Sequence, residues 1–236
     1  MGNLKLLERR FPAGLFLALS LLFLLLPLAS PFRNPLGFQV STTLTVLSLV
    51  VGFLLLSGAT VRSVKWVALV SILGSLSAVL RIPFAAIPSV QPCTFLIICS
   101  GYVLGPAAGF LVGTLTTLVS NMALGHGIWS LYQILGWGLA GALAPALRRL
   151  TRNASSLRTA LIIFGFAWGY VFGLITNLSF WVYFFNPSLE SFIAVQLASV
   201  WFDTVHAINN AVLLGLLGPK TIGLLEGVLW GKNRFN

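Results

Sequence analysis

The last apolar segment of the chain carries a stripe of polar side chains. Gln196, Ser199, Asp203, His206 and Asn210 follow one another at intervals of three and four residues, which places them on one face of an α-helix. A carboxylate inside a long apolar helix is costly, so such a residue usually has a function and a partner, here His206. The stripe fits three roles: a polar seam that joins this helix to its neighbours, a face that contacts a ligand, and a proton relay.

A second stripe combines aromatic rings with an amide. Trp129, Gln133 and Trp137 are spaced four residues apart and share one helix face. Two indoles flanking an amide form a flat apolar wall with a polar handle, which suits a planar or ring-bearing ligand. An aromatic belt at a membrane interface explains Trp129, but Trp137 lies about 12 Å deeper along the helix. We therefore favour a binding site.

The segment between these two stripes has small residues at one end and polar or aromatic residues at the other. Gly165, Gly169 and Gly173 form a ladder that lets a second helix approach closely. Asn177 and Trp181 continue the same face toward the end of the segment. These two side chains are candidates to line the same cavity as the aromatic stripe.

An earlier segment has a face of small side chains, formed by Ser71, Gly74, Ser75 and Ala78. Such a face serves either packing inside the protein or docking of a partner membrane protein. From Arg81 onward follows a stretch with prolines at positions 83, 88 and 92, which restrict its backbone. We expect this stretch to be a loop that acts as a lid or as one wall of a binding site.

The composition of the chain excludes the soluble classes of protein. Of its 236 residues 58% are hydrophobic and 8% are charged, and the mean hydropathy is +0.98. A soluble globular domain has about 25% charged residues. The 14 basic and 4 acidic residues cannot coat a soluble protein of this size. We therefore exclude a soluble enzyme, a nucleic-acid binder and a disordered tail, and we predict an all-α membrane protein.

The apolar segments predict eight membrane spans. A spanning helix needs about 20 residues, and the length of the chain accommodates about eight helices with short connections. The expected spans cover residues 11–30, 43–60, 64–80, 92–104, 107–122, 128–147, 158–181 and 191–217. The first two contain almost no polar residues, as lipid-facing or peripheral helices would, so we expect the working unit in the last six.

The distribution of basic residues predicts the orientation in the membrane. Eight spans place both termini on one side, and twelve of the 14 basic residues are assigned to that side, leaving Arg33 and Arg81 on the other. Basic residues mark the cytoplasmic side. We therefore expect a multi-pass protein of the cell membrane with its N and C termini in the cytoplasm.

Catalytic and metal-binding patterns find little support. The sequence contains no His-Glu-x-x-His, Gly-x-Ser-x-Gly or P-loop pattern, and four acidic residues do not supply paired carboxylates. The Asp203–His206 pair is weak evidence for hydrolysis. Cys93 and Cys99 are too far apart on one helix for a disulfide, so both are expected to be free thiols. We expect no catalytic residue, no metal and no cofactor.

Two segments resemble a known family. Residues 92–109 read PCTFLIICSGYVLGPAAG, which resembles the second-helix signature of the substrate-binding S components of energy-coupling factor (ECF) vitamin transporters. Residues 121–141 read NMALGHGIWSLYQILGWGLAG, which is similar to one branch of these proteins. Where that branch has Thr-Pro-Trp, this chain has Ser130, Leu131 and Tyr132. The resemblance covers residues 64–217.

The resemblance implies how the chain is divided. It implies a six-helix S-component bundle at residues 64–219. Two additional N-terminal transmembrane helices at 1–63 would precede this bundle, and a cytoplasmic tail at 220–236 would follow it.

The resemblance also implies a function. S components capture a vitamin-like micronutrient at the outer face, and a transmembrane coupling protein with two cytoplasmic ATPases drives its release inward. The ligand is transported and is not used as a cofactor. Three residues correspond to pocket positions by motif: Trp129, Gln133 and Trp137. Five correspond only by helix and depth: Asn177, Trp181, Gln196, Ser199 and Asp203. The helix that faces the coupling protein carries Ser71, Gly74, Ser75 and Ala78.

Several substrates and two other classes of function remain open. The resemblance favours a cobalamin-type substrate, because the similar branch is associated with such substrates, and three tryptophans suit a large ring system. A flavin, a queuosine precursor, biotin or another ring-bearing micronutrient fits the same residues. A membrane enzyme that uses Asp203 and His206 is one alternative. A membrane scaffold that binds the coupling protein but no ligand is the other.

Overall fold

Eight α-helices make up most of the chain that the structure describes. The computed structural model describes residues 2–26, 34–60, 63–151 and 153–230, except for the side chains of 2–11 and 230. In chain order the helices are α1 (Gly2–Leu25), α2 (Pro35–Gly58), α3 (Val64–Phe84), α4 (Cys93–Leu104), α5 (Pro106–Leu124), α6 (Trp129–Leu143), α7 (Ala154–Phe184) and α8 (Leu189–Trp230). The described residues contain no β-strand. The all-α prediction and the expected number of helices are both confirmed.

Five of the helices, α2, α3, α5, α7 and α8, are long and apolar enough to cross a membrane. The central helix α4 has only 12 residues, about 18 Å at 1.5 Å per residue, yet every one of its residues is buried. It packs on α3, α5, α6 and α8. A helix that is enclosed by other helices faces no lipid, so its length does not have to match the bilayer. Its cysteines, Cys93 and Cys99, are free thiols as expected.

Glycines bring α4, α5 and α6 together through their backbones. Gly101 on α4 and Gly109 on α5 both face Gly141 on α6, and a Cβ atom on any of the three would lie far inside van der Waals contact with a neighbouring backbone. Gly105 joins α4 to α5 with a φ of 99°, a conformation that only glycine adopts without strain. These glycines belong to the two segments that carry the family resemblance, and here they determine how closely the central helices pack.

The two N-terminal helices are attached to the bundle through α2. α1 packs along α2, and α2 in turn contacts α5, α6 and α7. Phe53 of α2 stacks on Phe110 of α5 with ring centroids 5.1 Å apart. The hydroxyl groups of Thr43 on α2 and Tyr183 on α7 are hydrogen-bonded. α2 therefore covers part of the face that α5, α6 and α7 form.

Two helices include residues that we expected in connections. α2 begins at Pro35 rather than near residue 43, because the side-chain oxygen of Asn34 accepts a hydrogen bond from the amide of Gly37 at 2.7 Å and caps the helix. α3 continues to Phe84, so Arg81 lies in the last turn of a helix and is buried. The expectation that a loop begins at Arg81 is wrong. Arg33 lies outside the described residues.

The last helix is longer than the sequence predicts. The sequence predicts an end near residue 217, but α8 continues through Pro219 to Trp230, so residues 220–230 of the expected tail are helical. The Nζ atom of Lys65, at the start of α3, donates a hydrogen bond of 2.9 Å to the carbonyl of Val228. This contact ties the end of α8 to the beginning of α3.

Candidate functional site

Polar side chains meet at one end of the bundle, where α3, α5 and α7 end and α4, α6 and α8 begin. Hydrogen bonds connect Arg81 in the last turn of α3 to Asn121 near the end of α5, and Asn121 to Gln133 near the start of α6. Asn177, near the end of α7, is likewise bonded to Gln196 in the first part of α8. We call this end of the molecule the Arg81 end.

Arg81 is the centre of the first group of polar residues. Its side chain is 7% exposed. One terminal nitrogen, Nη1, donates to Ser120 Oγ and to Asn121 Oδ1, each at 2.6 Å, and Nε donates to Gln91 Oε1 at 3.2 Å. These three acceptors are neutral, and they come from α5 and from the connection before α4. They hold the guanidinium in one orientation.

Asn121 extends this group to α6. Its Nδ2 donates to Gln133 Oε1 at 2.8 Å and to Ser130 Oγ at 3.2 Å. The buried amide of Asn121 therefore accepts from the cation on one side and orients Gln133 on the other. We call Arg81 and the residues joined to it in this way the Arg81 network, which consists of Arg81, Gln91, Ser120, Asn121, Ser130 and Gln133.

Trp137 lies directly beneath the cation. The centre of the Arg81 guanidinium is 4.7 Å from the centroid of the Trp137 ring, within the range of a cation–π interaction. The indole is fully buried, and its Nε1 donates to Thr94 Oγ1 at 3.0 Å. Phe172 of α7 packs against the Trp137 ring, with centroids 4.6 Å apart. Trp137 is thus a support for Arg81 and not an exposed wall.

His206 has a different partner from the one expected. Its Nε2 is hydrogen-bonded to Thr94 Oγ1 on α4 at 3.0 Å, and its ring packs edge-on against Phe172. Asp203, one turn earlier on α8, is held by Asn177 and Ser199. The expected partnership of Asp203 and His206 is therefore wrong: the two side chains take part in separate hydrogen-bonded groups.

The second group of polar residues joins α7 to α8. Asn177 Nδ2 lies 3.1 Å from Gln196 Oε1, 2.5 Å from Ser199 Oγ and 3.3 Å from Asp203 Oδ2. Ser199 also donates to Asp203 Oδ2 at 2.7 Å. All four residues were predicted from the sequence, and the structure brings them together. We call them the Asp203 cluster.

The close contact of α7 with α8 depends on the glycine ladder. A Cβ atom on Gly169 would overlap the backbone of Ala207, and one on Gly173 would overlap the carboxylate of Asp203. Beside the cluster lies a cavity of about 400 Å³, lined by Asn177, Phe180, Phe185, Ala194, Val195, Ala198, Ser199 and Phe202. Its lining is mostly apolar.

Comparison with protein families gives one match. A family described as the ECF transporter, substrate-specific component, matches residues 65–218, well over half of the chain. The chain belongs to this family. Searches among curated proteins and among solved structures found no match. The match begins at α3 and ends within α8, so α1 and α2 lie outside it.

In this S component the aromatic stripe of α6 runs from the surface into the core. Trp129 is 43% exposed, Gln133 is half-buried and Trp137 is fully buried. The three side chains do share one face, but they do not form one flat wall. Gln133 accepts a hydrogen bond from Asn121, and Trp137 lies against the Arg81 guanidinium. Trp129 packs over Gly127 at the surface.

Trp181 stands apart from the stripe of α6. Its Nε1 donates to Ser191 Oγ at 2.8 Å, and its ring packs edge-on against Phe192 of α8 and Phe38 of α2. It therefore joins three helices, including one of the two that lie outside the family match. The contact with Phe38 brings α2 to the Arg81 end.

The small-residue face of α3 is divided between the inside and the outside of the protein. Gly74 and Ala78 are buried, and a Cβ atom on Gly74 would overlap Leu115 of α5. Ser71 and Ser75 are exposed. Packing within the protein therefore accounts for two of the four residues, and two remain available to a partner.

Sequence reasoning missed the residues at the middle of the site. From the sequence we expect Arg81 in a loop, because a basic residue at the end of an apolar segment usually reaches the membrane interface. Thr94 and Asn121 lie within the two family-like segments without having been singled out. Among the described residues, no three His, Cys, Asp or Glu side chains are grouped so as to hold a metal ion.

Proposed function

We propose that this S component captures a vitamin-like micronutrient at the Arg81 end and delivers it inward. The observation that carries the proposal is the Arg81 network, in which the family-matched helices α3, α5 and α6 converge on one buried cation. Trp129 and Gln133 line the approach from the surface, and Trp137 supports the cation from below. In this proposal the micronutrient is cargo and not a cofactor.

The distribution of basic residues supports an orientation with the Arg81 end outside the cell. The opposite end carries Lys65 at the start of α3 and Arg148 and Arg149 after α6. Cytoplasmic connections are enriched in such residues. Both termini then lie in the cytoplasm, as the sequence predicts, and the substrate enters from the outer side of the cell membrane.

Delivery requires partners that supply energy. We propose a transmembrane coupling protein and two cytoplasmic ATPases, in keeping with the family. The exposed part of α3 around Ser71 and Ser75 is the contact surface that we assign to the coupling protein, because α2 already covers part of the face formed by α5, α6 and α7.

The structure gives the two alternative functions less support. An enzyme that uses Asp203 and His206 requires the two side chains to cooperate, yet each is bonded to other residues. The family is one of transporter components and not of enzymes. A scaffold without a ligand leaves the buried Arg81 network without a purpose beyond packing.

Mass spectrometry of small molecules extracted from the gently purified protein tests the proposal. We expect a ring-bearing micronutrient to copurify, and the same compound to quench tryptophan fluorescence when added to the emptied protein. The panel of added compounds begins with cobalamin and includes riboflavin, biotin and a queuosine precursor.

A pair of variants connects this binding to the site. Gln133→Ala is expected to weaken binding about tenfold, because it removes a hydrogen-bonding group next to the substrate. Gln39→Ala on α2, outside the Arg81 network, is the matched control and is expected to bind normally. Absence of any extracted compound, together with no response to the panel, would contradict the proposal.

A further inference from the structure

Arg81 is a buried cation with only neutral partners. Its hydrogen bonds go to an amide oxygen of Gln91, a hydroxyl of Ser120 and an amide oxygen of Asn121. Asp203, the carboxylate on the neighbouring part of α8, is held by Asn177 and Ser199 instead. Within the described part of the chain, no carboxylate is among the partners of Arg81.

Such an arrangement is unfavourable unless something compensates for it. A guanidinium that is removed from water loses much of its hydration energy, and neutral acceptors replace only part of it. The ring of Trp137, 4.7 Å away, adds a cation–π contribution but no negative charge. Proteins retain unpaired buried charges mainly where function requires them.

The guanidinium is oriented in advance for a further ligand. Nε and Nη1 are engaged by three side chains, which fix the plane of the group, whereas Nη2 makes no hydrogen bond to the described residues. A planar, fixed guanidinium with donors to spare matches the oxygens of a carboxylate or a phosphate. Fixing the group beforehand reduces the entropy that binding would otherwise cost.

Arg81 lies next to exposed residues at the end of the bundle. Arg81 lies in the last turn of α3, and the residues that follow it, from Ile82 to Pro88, are exposed. On the other side, Gln133 connects the network to the exposed Trp129 on the same face of α6. A ligand that enters between this connection and α6 meets the amides before it reaches the cation.

We infer that Arg81 binds an anionic oxygen group, a carboxylate or a phosphate, of the transported substrate. This inference rests on the proposed function and narrows the substrate to an anionic micronutrient. The anion neutralises the buried charge, Gln133 binds a neighbouring polar group, and the cation cannot be satisfied by an uncharged analogue. The competing explanation is that Arg81 only clamps α3 to α5.

Fluorescence titration of the purified full-length protein tests this inference, because Trp137 lies against the guanidinium and reports on its surroundings. The probes are sodium acetate and inorganic phosphate, with acetamide as the neutral analogue of acetate, all at constant ionic strength. We expect a saturable change in tryptophan emission with at least one of the two anions and none with acetamide. A response to acetate alone assigns a carboxylate, and a response to phosphate alone assigns a phosphate.

Variants separate a binding role from a clamping role. Arg81→Gln is expected to raise the anion concentration at half-saturation by about tenfold or more, since it removes the charge. Arg158→Gln makes the same change at an exposed position near the start of α7, at the opposite end of the bundle, and is expected to behave as the unmodified protein. If Arg81→Gln does not fold, Arg81→Met decides, because it replaces the guanidinium with an uncharged side chain of similar length: a weakened response supports the inference, and an unchanged one overturns it.

The two proposals fail in different ways. No saturable response to either anion, or the same response in Arg81→Gln, overturns the anion site. If a neutral micronutrient from the panel binds equally well to the unmodified protein and to Arg81→Gln, the transport proposal stands and the anion site is wrong. If the anions act through Arg81 but no micronutrient binds, the anion site stands and the transport proposal is wrong.

Discussion

The Arg81 network and the Asp203 cluster lie at the same end of the bundle and hold opposite charges, yet the two charges do not pair. Arg81 is enclosed by residues of α3, α5 and α6, and the donors and acceptors around it leave a positive charge without a counterion. Among the described residues, the donors to the Asp203 carboxylate come from α7 and α8: Asn177 and Ser199 both donate to Oδ2. Phe172 of α7 packs on Trp137 beneath Arg81 and on His206 of α8.

The difference indicates different tasks. Side chains of the Asp203 cluster bind one another across the contact between α7 and α8, as a polar seam does. Arg81, at the centre of its network, is more deeply buried than Asp203. In our proposal its positive charge is neutralised when an external anion binds. We therefore propose substrate binding for the Arg81 network and helix attachment for the Asp203 cluster. For Gln196, Ser199 and Asp203 this favours the polar seam among the roles that the sequence left open.

Asn→Asp substitutions in both groups should produce the largest effect. Asn121→Asp supplies Arg81 with a carboxylate from the protein itself, so we expect thermal stability to rise and the affinity for the anionic probe to fall about 100-fold. Asn177→Asp is the matched change beside Asp203. It brings two carboxylates together and is expected to cost about 3 kcal/mol of stability. Thermal unfolding in detergent and fluorescence titration measure both; an unchanged affinity for the anionic probe in Asn121→Asp would contradict the anion site, because the new carboxylate would then not compete for Arg81.

Gly173→Ala should destabilise the Asp203 cluster and leave the Arg81 network unchanged. Its methyl group would overlap the Asp203 carboxylate and push α8 away from α7, at a cost of about 2 kcal/mol. Gly227→Ala on α8, which has open space around the added atom, is the control and should gain about 0.5 kcal/mol from higher helix propensity. Thermal unfolding separates the two. Equal changes in stability for the two variants would contradict the close contact between α7 and α8 at Gly173.

Asp203→Asn should have a smaller effect because the shape of the side chain is kept. Loss of the charged acceptor is expected to cost about 1 kcal/mol of stability and to change ligand affinity less than about threefold. Unfolding and titration on the same sample give both numbers. A large loss of affinity with normal stability would show that Asp203 contributes to substrate binding. The Arg81 network and the Asp203 cluster would then share one task.

Trp129→Ala should have the smallest effect on stability, since the side chain is 43% exposed. We expect a change within about 0.5 kcal/mol. The affinity for the substrate should still fall about threefold, because the indole borders the approach to Gln133. Calorimetry or titration with the copurified compound measures this. An unchanged affinity would contradict the proposal that the substrate approaches Gln133 along α6.

Local features of the fold could be read from the sequence because they depend on neighbours along the chain. The helical period places Gln196, Ser199 and Asp203 on one face, and the structure keeps them together. The apolar segments predict the number of helices but not where each helix begins and ends. The polar residues at the start of α2 and Arg81 at the end of α3 are of types that are typical of connections. Side-chain caps and tertiary partners, which hydropathy does not register, extend both helices.

The residues that meet at Arg81 could not be predicted in the same way. Arg81 and Asn121 are 40 residues apart in the sequence, and Thr94 and His206 are 112 apart. Periodicity relates residues within one helix and says nothing about which helices adjoin. The expected Asp203–His206 pair failed for this reason: nearness on α8 suggested a partner, but Thr94 on α4 and Asn177 on α7 lie closer in the folded chain.

By itself, the sequence determined the class of the protein, the number of helices and the faces on which polar residues line up, because composition and helical period are local properties of the chain. Only the tertiary structure decided that Arg81 is a buried cation among neutral acceptors and that Asp203 is hydrogen-bonded to Asn177 and Ser199. The physical reason is the close packing at Gly101, Gly109 and Gly141, which sets the spacing of the central helices and so determines which distant side chains come within hydrogen-bonding distance.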